Sequence, residues 1–312
     1  MIKRTLYFGN PSYLSLKSKQ MVIKKPPVND LPPLDFDDPK EFTDTIKTIP
    51  IEDIGLVILD CPQITVTSAL LSALLDNNCA LVTCDQRHLP IGLLLTLYGN
   101  NVQTERHHLQ IEASLPLKKQ LWQQTIQAKI KNQASVLKSI PGVEIGNMMA
   151  WAQSVKSGDS DNHEGRAAAY YWKSIFVDNP KFTRDDDDIA NAMLNYGYAI
   201  IRALVARALA GAGLIPTIGI HHHNRYDAYC LADDMMEPYR PYVDQIVLNA
   251  VNNERLPKEL DTMTKKLFLE LPTKEVMIDG TRRPLMLAVG QTVSSLQKCF
   301  AGEIRKLSFP SL

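Results

Sequence analysis

The sequence predicts an α+β protein, with an N-terminal β-sandwich-like domain followed by an all-α domain. Three observations carry this. Short apolar runs bounded by turn residues fill residues 1–95. From residue 115 onward, apolar residues recur at helical spacing. Between them, residues 96–114 hold Gly99, Asn100 and Asn101 with little apolar periodicity, and read as a linker. The expected domains are therefore 1–95 and 115–312, joined by 96–114.

Residues 5–8 and 13–16 are the first strands, separated by the turn cluster Gly9, Asn10, Pro11 and Ser12. Residues 20–24 follow after Lys17, Ser18 and Lys19, so a hairpin or meander fits. Residues 25–38 carry Pro26, Pro27, Pro32, Pro33 and several aspartates, and read as an exposed loop or insertion. Residues 55–60 form a continuous apolar run, expected as a buried strand. Residues 67–78 read as a short helix, with Thr67 or Ser68 as N-cap and a stop at Asn77 and Asn78. Residues 80–84 are a second buried strand, and 86–104 a strand-like tail running into the linker.

Pro116 begins the first long helix, striped by Leu121, Trp122, Ile126, Ile130 and Leu137 and broken at Pro141 and Gly142. Further helices are expected over 148–155, 164–176, 185–209, 226–237, 243–251, 257–271 and 285–299. Gly211 and Gly213 end the longest of them. No internal repeat is present.

The chain has 312 residues, 45% hydrophobic and 22% charged, an ordinary globular composition. Lys+Arg and Asp+Glu are both 34, so net charge gives nucleic-acid binding no support, and local basic patches would have to supply it. The cysteines, Cys61, Cys79, Cys84, Cys230 and Cys299, form no Cys-x-x-Cys pair, which argues against a zinc ribbon. Cys61, Cys79 and Cys84 lie among apolar residues and read as small buried thiols. The N-terminus lacks an apolar core long enough for a signal peptide. The apolar stretch 196–220 contains Arg202 and Arg207, and reads as a buried helix rather than a membrane span. A cytoplasmic protein with no membrane association is expected.

The chemistry-bearing residues cluster in 221–241. His221, His222 and His223 come first, then Asp233, Asp234 and Glu237. On a helix over 226–237, Asp234 and Asp233 lie three and four positions before Glu237, so like charges would meet on one surface. A divalent cation, an arginine or plain solvent would relieve that repulsion. The histidines read either as a transition-metal clip or as a hydrogen-bonded turn after Pro216 and Gly219. Glu164 sits in the first turn of a helix, where an acid favours the macrodipole whether or not it has another role. Alanines 167–169 would let another backbone approach closely. Asp185 to Asp188 reads as a solvated loop ending in an N-cap. Lys118, Lys119, Lys129, Lys131, Lys265, Lys266, Arg282 and Arg283 read mostly as solvated faces. Arg202, Arg207 and Arg225 interrupt apolar context or lie near the acids, as cations for a phosphate backbone would.

Several motifs occur together: Glu164-Gly165-x-Ala167-Ala168-x-x-Tyr171-x-x-x-x-Phe176, then Asn195-Tyr196-Gly197-Tyr198, then a histidine, then Asp234-x-x-Glu237-Pro238-x-Arg240-Pro241. In this combination the chain resembles the CRISPR-associated adaptation integrase, the larger and metal-dependent of the two universal spacer-acquisition proteins. The short linker and the Met-Glu-Pro-Tyr-Arg-Pro form are most similar to the type II versions. The resemblance spans nearly the whole chain.

The resemblance implies a homodimer whose β domain serves dimerisation and partner contact and whose helical domain is catalytic. It implies one Mg²⁺ or Mn²⁺ per subunit, held by Glu164, by His222 as counted back from Glu237, and by Glu237. His221 and His223 are the neighbours that could replace His222. Asp234 matches a further acid the family carries beside the site and is expected to join the catalytic set. Arg166, Arg202, Arg225 and Arg240 are the cations expected on DNA. The implied reaction is attack by the 3′-hydroxyl of a short DNA fragment on a phosphodiester at the edge of a CRISPR repeat, with a small second adaptation protein bridging two dimers. The competing readings are a catalytically silent DNA-binding scaffold, a mobile-element integrase and a generic metal-dependent nuclease.

Overall fold

The computed structural model describes residues 3–25, 47–176, 182–184, 188–252 and 256–312. Much of the Pro-rich segment (26–38) and Asp185 to Asp187 lie outside these. The chain divides into two compact units, Met1–Leu97 and Tyr98–Leu312.

The first unit holds two four-stranded sheets. One contains β1 (Arg4–Phe8), β5 (Ile54–Leu59), β7 (Ala80–Cys84) and β8 (Pro90–Leu94), in the order β1-β5-β7-β8. The other contains β2 (Ser12–Lys17), β3 (Gln20–Lys24), β4 (Lys47–Pro50) and β6 (Ile64–Val66), in the order β4-β3-β2-β6. The expected meander from β1 through β3 is therefore only half right. β2 and β3 form an antiparallel hairpin, whereas β1 pairs in parallel with β5 in the other sheet. The Gly9–Ser12 cluster carries the chain between sheets instead of reversing it. The hairpin turn places Ser18 and Lys19 at φ 50° and 59°, the left-handed pair of a tight two-residue turn. That turn usually calls for Asn-Gly, so its residues gave little warning.

Inward-facing Phe8, Leu14, Met21, Ile23, Ile54, Val57 and Leu81 from both sheets share one core with Leu70 and Leu74 of α1 (Ser68–Asp76). Burying each leucine is worth roughly 1.5–3 kcal/mol. β5 and β7 run parallel, so the chain between them must cross over, and β6 and α1 fill that crossover. Of the cysteines here, Cys79 is buried while Cys61 and Cys84 are half-buried, so the expectation of three buried thiols holds for one.

The second unit is helical: α2 (Gln103–Ile111), α3 (Leu115–Lys138), α4 (Gly146–Ser154), α5 (His163–Ile175), α6 (Ile189–Gly211), α7 (Cys230–Met236), α8 (Arg240–Asn252), α9 (Thr262–Leu269) and α10 (Leu285–Phe300). A small antiparallel sheet of β9 (Glu275–Ile278), β10 (Thr281–Pro284) and β11 (Pro310–Ser311) accompanies them, which the helical periodicity did not announce. The expected linker 96–114 is not a loose connection. It contains α2, whose Arg106 donates to the carbonyl of Ala212 at 2.7 Å and whose Gln110 donates to Ile215 and Ile218, each at 2.9 Å. Those bonds tie α2 to the end of α6.

α6 is long and apolar enough to cross a membrane by length and composition, but 72% of that window is buried inside the protein. It packs against α7, α8, α9 and α10. Gly197 permits this packing, since a Cβ there would lie 2.4 Å from Val243 Cγ1 and 2.8 Å from Phe268 Cδ1.

Candidate functional site

α3 is the spine of the site. Trp122, Lys129 and Asn132 are seven and three residues apart, so they share its inward face. Trp122 is buried and stacks on the His221 ring, with centroids 4.0 Å apart and planes within 1°. The His222 ring meets the same indole edge-on at 5.5 Å. Asn132 donates to the carbonyls of Pro238 at 2.7 Å and Pro310 at 3.0 Å, and accepts from the backbone N–H of Leu312 at 3.1 Å. One amide thus fixes the turn after Glu237 and the strand β11.

Glu164 is presented by the first turn of α5, which is capped from two sides. Asn162, in the left-handed region at φ 52°, accepts from the N–H of Gly165 at 3.1 Å. Asp159 accepts from the N–H groups of His163 and Glu164, each at 2.9 Å. Gly165 is needed because a Cβ there would stand 2.7 Å from Asn162 Oδ1. The Glu-Gly pair of the sequence motif is therefore an acid in the first turn of α5 followed by the glycine that makes room for the cap.

The stretch 221–241 does not form the helix expected over 226–237. α7 begins only at Cys230, and Glu237–Tyr239 is a turn of 3₁₀ helix at Pro238. Residues 226–229 lie in turns, where Asp227 accepts from the N–H of Tyr229 at 2.9 Å. A short polar side chain offered the backbone another partner there. The three acids consequently go to three different partners. Asp233 pairs with Arg202 through two bonds of 2.6 and 2.9 Å. Asp234 turns inward to the histidine loop. Glu237 meets Arg240 and Lys129.

Asp234 is buried and organises the loop before α7. Its Oδ2 accepts from the N–H groups of Ile220 at 2.7 Å and His221 at 3.0 Å, and its Oδ1 accepts from that of His222 at 3.1 Å. His222 Nδ1 also lies 2.7 Å from Oδ1, leaving its Nε2 free to face another group. The hydrogen bond to Asp234 raises the His222 pKa above the ordinary imidazole value. Gly219 lets the loop close over the carboxylate, because a Cβ there would sit 2.3 Å from the His222 carbonyl and 2.7 Å from Asp234 Oδ2. Asp234, expected in the catalytic set, lies beneath the histidine loop, bonded to its backbone and to the His222 ring. With its oxygens committed to backbone and imidazole, it positions His222 and does not face outward. His223 turns away, its Nδ1 2.7 Å from the His221 carbonyl.

Glu164 and Glu237, 73 residues apart, converge on one cationic group. Lys129 Nζ is 2.6 Å from Glu164 Oε1 and 2.6 Å from Glu237 Oε2. The lysine side chain is only 12% exposed, and that of Glu237 4%. Arg240 takes the other oxygen of Glu237 at 2.8 Å and lies over the Tyr198 ring at 4.3 Å. Burial opposes ionisation of Glu237, but Arg240 and Lys129 outweigh it and draw the pKa down to about 2. Burial likewise opposes the Lys129 charge, and Glu237 and Glu164 overcome it, so its pKa is raised.

Among the described residues no three His, Cys, Asp or Glu side chains stand together as a ready metal-ligand cluster. What converges is two carboxylates on an ammonium; the His222 imidazole, oriented by Asp234, feels the charge of both Glu237 and Glu164. In donor chemistry the set suits a divalent ion: two hard oxygens and an imidazole whose second nitrogen is fixed by an outer acid.

Lys129 was expected on a solvated face and is not there. Its signal was its register: three residues after Ile126 and next to Ile130, it falls within the apolar stripe of α3. Of the four arginines expected on DNA, Arg166 and Arg225 are exposed, Arg225 lying over the Tyr226 ring at 4.6 Å. Arg202 and Arg240 are engaged with Asp233 and Glu237 instead. Sequence reading also missed a buried group behind the site. Asp244 accepts from the Tyr171 hydroxyl at 2.8 Å and from the Tyr198 hydroxyl, and burial pushes its pKa up to about 6.

A family model described as "CRISPR associated protein Cas1" matches residues 6–280 of this chain. The chain is 35% identical over 303 residues to the CRISPR-associated endonuclease Cas1 of Neisseria meningitidis serogroup C (strain 8013), covering 95% of this chain and 92% of that protein. Among solved structures, a casposase bound to integration product is similar at TM-score 0.78 and 19% identity, covering 98% of this chain and 92% of the other. A chain of a Cas6-RT-Cas1–Cas2 complex is similar at TM-score 0.74 and 16% identity, covering 98% of this chain and 36% of that one. These two likenesses speak to the fold.

Proposed function

The chain belongs to the Cas1 family of CRISPR-associated proteins, and from that premise we propose that it is a metal-dependent DNA integrase and endonuclease of CRISPR adaptation. The observation that carries this reading is the convergence of Glu164 and Glu237 on one largely buried cationic group, with their charge also acting on the His222 ring that Asp234 orients. The Neisseria relative is named an endonuclease, and the casposase structure is named for its integration product.

In this reading Glu164, Glu237 and His222 would hold Mg²⁺ or Mn²⁺. When bound, the ion supplies a Lewis acid for a phosphate oxygen and favours deprotonation of an attacking hydroxyl. The chain's own residues do the rest. Asp234 engages His222 Nδ1, so Nε2 is the ring nitrogen left for a metal ion. Arg240 holds one oxygen of Glu237, leaving the other for the site. Arg166 and Arg225 are exposed cations available to the phosphate backbone.

The reaction exchanges one phosphodiester for another. A bond forms between phosphorus and the 3′ oxygen of a short duplex as the bond to the 3′ oxygen of the repeat strand breaks. The attacking hydroxyl gives up its proton, and the departing 3′ oxygen gains one. The same site attacked through water would cut DNA. The substrates would be the DNA fragment and the CRISPR repeat, in the cytoplasm where the chromosome lies. The protein would act as a homodimer, with a small second adaptation protein joining two dimers; the similar chain in the Cas6-RT-Cas1–Cas2 complex is named with such a partner.

Strand transfer of a labelled duplex into a repeat-bearing plasmid tests the reading, with and without divalent metal and with Glu164→Gln. Metal-dependent joining lost in Glu164→Gln is expected. Joining that survives both treatments would sink the metal-site assignment, and cutting without any joining would leave only a nuclease.

A further inference from the structure

Lys129 is the part of the site that the proposed metal ion does not explain. Its ammonium bridges one carboxylate from α5 and one from the turn after α7, at 2.6 Å to each. A divalent cation on the same two carboxylates would need the same lone pairs, at about 2.0–2.6 Å from oxygen. The ammonium already fills the space between Glu164 Oε1 and Glu237 Oε2, so a divalent ion bound by those two oxygens has to displace it. One must leave when the other arrives.

Arg240 is not the one to leave. It grips the opposite oxygen of Glu237 from three residues away and is fixed against the Tyr198 ring. Its planar fork suits a permanent partner. Lys129 instead carries a compact charge on a flexible four-carbon stem, which can draw back along α3 without moving backbone.

Resting on the metal-site reading above, we propose that Lys129 is a built-in counter-ion that holds Glu164 and Glu237 together before metal binds, and that it withdraws from between them when the divalent ion enters. The lysine keeps two like charges from splaying the site in the metal-free protein. It also sets the metal affinity of the site below what the carboxylates alone would give. Once withdrawn, its ammonium lies at the edge of the site, where a DNA phosphate would be a suitable new partner. Metal and DNA would then favour each other's binding, since each draws the lysine toward the same position.

The test is Mn²⁺ binding to the full chain, read by electron paramagnetic resonance, for the wild type, Lys129→Met and Glu164→Gln. Lys129→Met is expected to bind Mn²⁺ about tenfold more tightly than wild type. Its metal-free melting temperature should be lower, with Mn²⁺ restoring it. DNA should tighten Mn²⁺ binding in wild type and do so less in Lys129→Met. Equal or weaker Mn²⁺ binding by a folded Lys129→Met overturns the lysine proposal while leaving the metal site intact. Wild-type binding that Glu164→Gln does not weaken, or no binding at all, overturns the metal site and the proposal together. Anomalous scattering from wild-type crystals soaked in Mn²⁺ decides the matter if Lys129→Met fails to fold. Manganese on both carboxylates with Lys129 Nζ retracted supports the exchange, and Lys129 still bridging them refutes it.

Discussion

Asp234 holds His222 twice, accepting from its backbone N–H at 3.1 Å and lying 2.7 Å from its ring Nδ1. The double contact fixes both where the residue is and which way its ring faces. Asp234→Asn breaks it, because an amide cannot accept from every group gathered there and brings N–H against N–H. We expect a stability loss of about 2–4 kcal/mol, in the range for a damaged buried charge-assisted network. The His222 pKa, raised by that carboxylate, should fall when followed by NMR titration. An unchanged His222 titration in Asp234→Asn would show that the ring is oriented by something else.

Glu237 and Glu164 should separate in a melting experiment. Glu237 is buried between Lys129 and Arg240, so Glu237→Ala leaves two cations short of a partner and should cost about 3–5 kcal/mol. Glu164 has a side chain 27% exposed and a single ion-pair partner, so Glu164→Ala should cost only about 1 kcal/mol. Both should abolish DNA joining. Equal destabilisation would mean that Lys129 is shared differently from the geometry described.

Gly219→Ala inserts a methyl against the His222 carbonyl and the Asp234 carboxylate. The loop must shift, with an expected loss of about 1–3 kcal/mol and a larger fall in joining than in DNA binding. A fully active, equally stable Gly219→Ala would show that the loop has slack.

Asp244 makes a pH-dependent contribution of known sign. Burial raises its folded pKa to about 6, above an unfolded value near ~4. A carboxyl raised in this way favours the folded state while protonated. Its contribution is complete below about pH 4 and is lost as pH rises through about 6, amounting to ~3 kcal/mol. Denaturant titrations from pH 4 to 7 should show the wild type losing stability relative to Asp244→Asn. Parallel curves for the two proteins would place the Asp244 pKa at its ordinary value.

The strands and most helices were legible because apolar period alone decides them, as for β5, β7 and α3. The sheet to which β1 belongs was not, since β1 pairs with residues about 50 positions further along the chain, Thr5 with Leu56, and the local turn cluster pointed elsewhere. The acids at 164 and 237 were legible from their motifs. The company they keep was not. Lys129 looked like one more surface lysine, although its place between Ile126 and Ile130 marked it as inward. The helix expected from Tyr226 failed because Asn224 and Asp227 bond to backbone N–H groups two residues on, at 3.0 and 2.9 Å, and hold turns there.

Asn132 grips the carbonyl of Pro238, directly after Glu237, and at the same time residues 310 and 312. Truncating this amide would therefore release two segments at once, residues 310–312 and the Glu237 turn, which lie more than 70 positions apart in sequence. A variant at Asn132 that loses activity is then read first as a loosened hinge beneath the acid, because the amide itself touches neither Glu164 nor Glu237.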